Sequence, residues 1–187
     1  ERDSCMRLTV QLTAAQDVYF NYRQLLSTGY RHDNCQFYMP GFWYRRNLRS
    51  PKKAPSFHTS DSWLVREDRL SAPLTGIFSE KEKRFMTVNR LDDFSMDALA
   101  THKEGEIILS GKTSLGFTGF ENQQGIAMLS FGFPYREAPK SYIRKLTLAP
   151  EVEAFQLMKK GESVLLTWEI MESGADDFSD FIQHTWE

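Results

Sequence analysis

From residue 74 to residue 171 the chain is cut into short runs in which apolar and polar residues alternate, each run ended by Gly, Pro, Asn or charged residues. A period of two places alternate side chains on opposite faces, so each run reads as a strand with one buried face. Residues 74–78 and 84–88 flank the polar stretch 79–83 as a hairpin, and further strands are read at 106–109, 114–120, 125–133, 142–148, 152–158 and 163–171. Breaks recur at the short spacing of antiparallel sandwiches. Before this region, residues 6–12 alternate with Met6, Leu8, Val10 and Leu12 on the inward face. Residues 18–26 fit a strand or a short helix, and their aromatic content favours the strand. Residues 36–44 read as two extended pieces around Pro40-Gly41, and 47–56, with Pro51 and Pro55, as an ordered loop. One helical turn is expected at 96–99. The expected fold is all-β: an antiparallel two-sheet (super)sandwich with a short C-terminal helix.

That helix is read after Gly174. Asp176 or Asp177 can cap it, because a carboxylate accepts the free N–H groups of a first turn. Phe178, Phe181, Ile182 and Trp186 then fall at i, i+3, i+4 and i+8, a single apolar stripe. Two readings fit it. The helix either closes its own domain or leads, through those four residues as docking contacts, toward a further C-terminal domain. A start at Glu1 rather than Met fits the second reading, and the expected division is a sandwich over 1–174 and the start of a linker helix over 175–187.

Composition narrows the function classes. The 25 acidic and 23 basic residues of the 187 leave a net charge of -2, mixed along the chain, so no broad basic footprint for nucleic acid exists. No run of about 18 apolar residues is present, so no membrane-spanning helix is expected. Cys5 and Cys35 lack the paired spacing of a zinc or redox site; they read as two free thiols, a disulfide between them being the alternative in an exported protein. His32, His58, His102 and His184 are scattered without ligand spacing, and no metal or cofactor is predicted. Nucleophile-elbow, phosphate-loop and dinucleotide motifs are missing. Asp92, Asp93 and Asp97 form a carboxylate cluster of the kind acid/base hydrolysis uses, although adjacent loop aspartates are more often solvated or capping. No catalytic residue is assigned.

The most unusual segment runs from Met39 to Arg49 and includes Phe42, Trp43, Tyr44, Arg45, Arg46 and Asn47. Aromatic faces stack on the C–H faces of sugar rings, while Arg and Asn donate to hydroxyls or carboxylates. Trp63 and Arg66 in a second segment have the same character. These eight residues are the candidate substrate contacts. The competing reading places Phe42, Trp43 and Trp63 in the core and pairs the arginines with Glu67 and Asp68.

The order Met-Pro-Gly-Phe-Trp-Tyr-Arg-Arg-Asn (39–47), Asp-Arg-Leu-Ser-Ala-Pro-Leu (68–74), Ser-Leu-Gly-Phe (114–117), Phe-Pro-Tyr-Arg-Glu (133–137), Lys-Lys-Gly-Glu-Ser-Val-Leu-Leu-Thr-Trp-Glu-Ile (159–170) and Asp-Phe-Ser-Asp-Phe-Ile-Gln-His-Thr-Trp (177–186) resembles a known plan. It is similar to the N-terminal β-supersandwich domain, galactose-mutarotase-like in shape, of exported bacterial carbohydrate-active enzymes that carry an (α/α) toroid. The resemblance implies a non-catalytic accessory domain of a glycoside hydrolase or polysaccharide lyase, periplasmic or at the cell surface. Its partners would be a C-terminal helical domain of the same chain and, through the parent enzyme, carbohydrate. The toroid's catalytic carboxylates have no counterparts in these residues, and the mutarotase His and Glu cannot be placed on them. A stand-alone carbohydrate-binding or adhesion module and a small complete enzyme are the alternatives.

Overall fold

The computed structural model describes residues 4–47, 60–93, 99, 103–139, 141–143, 146–149 and 151–187. The expected turn at 96–99, nearly all of the loop at 47–56, and the histidines at 58 and 102 lie outside them, apart from Asn47 and Leu99.

The fold is an all-β sandwich closed by one short helix. Its larger sheet has six strands in the order β1 (Ser4–Thr13), β16 (Ser163–Gly174), β8 (Arg84–Arg90), β7 (Leu74–Ser79), β4 (Cys35–Met39) and β5 (Trp43–Arg45). Facing it is a four-stranded sheet ordered β3 (Tyr22–Arg31), β11 (Ile126–Phe133), β10 (Phe117–Gln123) and β6 (Ser62–Arg66). Aromatic rings interlock the two layers. Phe37 of β4 stacks on Phe120 of β10 at 3.9 Å between centroids, and Phe131 of β11 meets Trp168 of β16 at 5.1 Å.

A third sheet joins β12 (Arg136–Glu137), β15 (Val152–Met158) and β2 (Val18–Phe20), with β9 (Gly105–Ile108) parallel to β15. It has its own apolar cluster of Leu109, Leu115, Tyr135, Val152 and Ala154. Reciprocal backbone hydrogen bonds between Leu64 and Ala138 tie it to β6. A small hairpin of β13 (Ser141–Ile143) and β14 (Leu146–Ala149) follows.

Helix α1 (Phe178–Trp186) lies against the outer face of the six-stranded sheet. All six residues of β7 are buried as a result: Ile77 faces the inter-sheet core, while Leu74 and Phe78 face the cluster built with Phe178 and Phe181. No helix among the described residues is long and apolar enough to cross a membrane.

Four local expectations change. The strand expected at 18–26 is broken at Asn21, whose side-chain amide donates to the Ala154 carbonyl at 2.8 Å, so that β2 and β3 enter different sheets. Met6 occupies the inward register opposite Ile170 yet is 53 % exposed, because β1 is an edge strand and Met6 lies toward its end. The stretch 142–148 is a hairpin rather than one strand, and the strand expected from 114 starts at Phe117. Both thiols are free; Cys35 is buried and Cys5 exposed.

Candidate functional site

The Met39–Asn47 segment forms a tight connection between β4 and β5. Phe42 N–H donates to the Met39 carbonyl at 3.0 Å, and Gly41 sits at φ +80°, a conformation glycine adopts without strain. The two strands pair Trp43 with Met39, Tyr44 with Tyr38 and Arg45 with Phe37. Period-two alternation then sends neighbouring aromatics to opposite faces. Trp43 points into the core, fully buried, 4.8 Å from Trp63 and 5.1 Å from Phe120, with its indole N–H donating to the Arg45 carbonyl at 2.9 Å. Phe42 is half-buried against the same core. Tyr44 points outward and is 52 % exposed.

The positive φ of Arg45 ends the strand and swings its guanidinium over the Phe178 ring, 5.2 Å from the centroid. Arg46 is held by the chain itself, its Nε donating to the Cys35 carbonyl at 3.0 Å and its Nη2 to the Asp33 carbonyl. Asn47, also at positive φ, accepts Tyr44 N–H on its side chain at 3.3 Å. The other two candidates are inside. Trp63 is buried beside Trp43, and Arg66 makes a two-point ion pair with Asp68, both contacts at 2.9 Å. Trp43, Trp63 and Arg66 therefore offer no face to a ligand, and the direct-contact expectation is corrected for them. Their large apolar and paired surfaces are what the sandwich interior requires.

Helix α1 supplies the second half of the site. Asp177 caps it, Oδ1 accepting from Ser179 N at 2.7 Å and Asp180 N at 3.0 Å. These N–H groups hold the Asp177 carboxyl below its ordinary value. Phe178 and Phe181 are buried on the sheet; Phe181 lies against Phe78, Phe85 and Tyr38. Those two docking candidates are thus committed to their own domain, and Ile182 is half-buried with them. Trp186 is different. It is 54 % exposed and donates its indole N–H to the Tyr38 hydroxyl at 3.1 Å.

Tyr38 links the two halves. Its ring lies 5.4 Å from Tyr44, its hydroxyl accepts from Trp186, and burial pushes its ionisation up. The fold thereby collects Tyr44 and Trp186, from segments far apart in sequence, around one buried tyrosine, with Arg45 alongside. This surface offers two aromatic faces and a guanidinium, which suits stacking and hydrogen bonding.

Buried carboxylates form a separate network; the sequence pointed to Glu67 as an arginine partner, but not to Arg90 as that arginine nor to Glu137. Glu67 Oε2 accepts from Arg90 at 2.6 Å and from Gly116 N–H at 2.7 Å, and burial raises its pKa against the opposing pull of Arg90. Arg90 also reaches Asp92 at 3.3 Å, and Asp92 accepts Thr167 N–H at 2.8 Å, so this member of the aspartate cluster is engaged in holding β8 to β16. Glu137 lies 2.5 Å from Arg69 Nε, and burial pushes its carboxyl up to about 7. Each carboxylate is matched to an arginine, an arrangement that ties segments of the fold together. Among the described residues no group of three His, Cys, Asp or Glu is placed to hold a metal ion.

A second surface missed by the sequence is the outer face of the third sheet, where Tyr19, Ile108 and Leu157 line a shallow groove of about 420 Å³ with Lys112, Lys159 and Glu162. The three charged residues are paired, Lys112 with Glu162 and Lys159 with Asp17, both at 2.8 Å. In comparisons with known proteins, no family model matches this chain and no curated protein matches it.

Proposed function

We propose that this chain is a non-catalytic accessory β-sandwich domain of a larger, exported glycan-degrading enzyme, a glycoside hydrolase or polysaccharide lyase, and that Tyr44, Trp186 and Arg45 form its carbohydrate-contacting surface. The observation that carries the reading is the gathering of two half-exposed aromatic side chains, from β5 and α1, around the buried Tyr38. Tyr and Trp expose amphipathic rings at low entropic cost when one end is fixed; here Trp186 donates to the Tyr38 hydroxyl, and Tyr44, whose hydroxyl accepts from Gly41 N–H at 3.3 Å, lies against the Tyr38 ring. Asn47 and Arg46 shape the loop by backbone contacts, while Trp43 and Trp63 support it from beneath. The buried pairs Glu137–Arg69 and Glu67–Arg90 serve the interior, which supports a binding role over hydrolysis by this chain.

Affinity electrophoresis of the chain through gels containing soluble polysaccharides tests the reading. At least one polysaccharide should retard it, and Tyr44→Ala and Trp186→Ala should each weaken binding about tenfold, which corresponds to about 1.4 kcal/mol. Retardation by no polysaccharide, or retardation unchanged in both variants, would overturn the assignment of this surface.

A further inference from the structure

Strand β1 runs for ten residues at the edge of the six-stranded sheet, paired with β16 in unbroken register from Ser4–Glu172 to Thr13–Ser163. Among the described residues no strand pairs with its other side. A free edge of this kind presents a row of N–H and C=O groups that recognise another extended backbone. Among the described residues the other main edges are irregular, short or, at β6, bridged by Ala138. β3, equally long, has a register irregularity opposite β11 and Gly29 at φ +75°, and it carries Arg23 and Arg31. β5 and β2 have three residues each. β1 contains no Pro and no Gly, and its single charge is Arg7.

Its sequence also selects a partner. Residues opposite each other in an antiparallel pair share a face, so a self-pairing of β1 matches inward with inward only when opposed residue numbers sum to an even value. A sum of 14 sets Arg7 against its own copy. A sum of 16 sets inward Leu12 against Ser4. A sum of 18 places Thr9 on the two-fold axis, Leu8 opposite Val10 and Met6 opposite Leu12, while Arg7 faces the amide of Gln11. That register pairs every inward residue from 6 to 12 with an apolar one and leaves no like charges opposed. It also places Leu12 of the second copy beside Met6, which is 53 % exposed in the single chain.

We infer that β1 is a self-association edge: two copies of this chain join antiparallel through β1 about an axis at Thr9, fusing their six-stranded sheets into one. Such an interface is isologous and closes on itself, so it ends at a dimer.

Cysteine cross-linking reads the register directly. Cys5 is exposed and would lie opposite Thr13 of the second copy, whereas Cys35 is buried. Opposed Cα atoms in antiparallel strands are about 4.5 or 5.5 Å apart, and both distances suit a disulfide. Under mild oxidation Thr13→Cys should form a dimer on a non-reducing gel, while the wild-type chain and Gln11→Cys should not. In sedimentation velocity over a dilution series the wild-type chain should show a dimer. Thr9→Lys, which opposes two lysines on the axis at an exposed position, should sediment as a monomer with an unchanged circular dichroism spectrum. A wild-type monomer at every dilution, or Thr13→Cys that stays monomeric on oxidation, would overturn the interface; cross-linking of Gln11→Cys in place of Thr13→Cys would overturn the register.

Discussion

Trp43→Ala and Tyr44→Ala alter adjacent residues of one three-residue strand, and their stabilities should differ sharply. Trp43 is fully buried where β5 meets β6, touching Trp63 at 4.8 Å and Phe120 edge-on at 5.1 Å between centroids. Truncation removes the apolar area of a whole indole and leaves a cavity between two sheets that other rings already hold apart. Large-to-alanine changes of this type cost about 3–5 kcal/mol. The lost hydrogen bond to the Arg45 carbonyl adds little, since Arg45 is at the surface and water replaces the donor. Against a domain stability of about 5–15 kcal/mol, the loss is from about a fifth to the whole of the total. Tyr44, half exposed on the opposite face, should lose about 1 kcal/mol or less. Urea unfolding followed by far-ultraviolet circular dichroism, with the slope shared among variants, measures both. Equal losses, or a Trp43→Ala loss below about 1 kcal/mol, would refute the assignment of inward and outward faces in β5 and the geometry of the proposed surface with it.

Two further outcomes follow from particular contacts. Glu137 has its carboxyl pushed up to about 7 by burial, despite Arg69 and Arg66. Folding therefore favours its neutral form: the stability it contributes is fully present below the ordinary carboxylate range and is lost as pH rises through about 7. Glu137→Gln should flatten the fall in melting temperature across that window, leaving the same-signed slope from Glu67, and an unchanged profile would remove Glu137 as its source. Gly76 lies beneath α1, where an added Cβ would stand 2.5 Å from the Phe181 ring and 3.2 Å from Thr87. Gly76→Ala should cost about 1–3 kcal/mol and speed amide exchange in α1. Pairing it with Phe181→Leu should recover part of the loss, and strict additivity of the two changes would argue against the contact.

The sequence made the strand period legible and left the pairing between distant strands hidden. β7, β8, β11, β15 and β16 announce themselves by alternation, and the helix by its cap and apolar stripe. The break at Asn21 does not, because the carbonyl that receives its amide belongs to Ala154, on a strand 133 residues away. Glu67 and Glu137 carry the composition of surface residues; their burial depends on arginines delivered by β8 and by the turn after β6. Leucines and valines of the alternating runs needed no such partner to be placed inside.

The candidate site shows the same division within nine residues. Once 43–45 is a strand, alternation alone requires that Trp43 and Tyr44 cannot both face a ligand, so the aromatic run necessarily splits into a core half and a surface half. The helix splits for a different reason. Its stripe outlasts the apolar face it covers: Phe178 and Phe181 meet the rings of Tyr38, Phe78 and Phe85, while Trp186, two turns on, meets mainly the Tyr38 hydroxyl. An apolar stripe one residue too long for its sheet leaves an indole at the surface, and the register of β4 with β5 sets Tyr44 against the same Tyr38. Both exposed rings thus depend on Tyr38, whose ring completes the α1 cluster and whose hydroxyl fixes the surface. Tyr38→Phe separates those roles. It keeps the ring packed and removes the acceptor, so it should leave urea stability within about 0.5–1.5 kcal/mol of wild type while weakening polysaccharide retardation as Trp186→Ala does. Undiminished retardation in Tyr38→Phe would show that the indole keeps its orientation without that bond, and that Tyr38 supports the surface by packing alone.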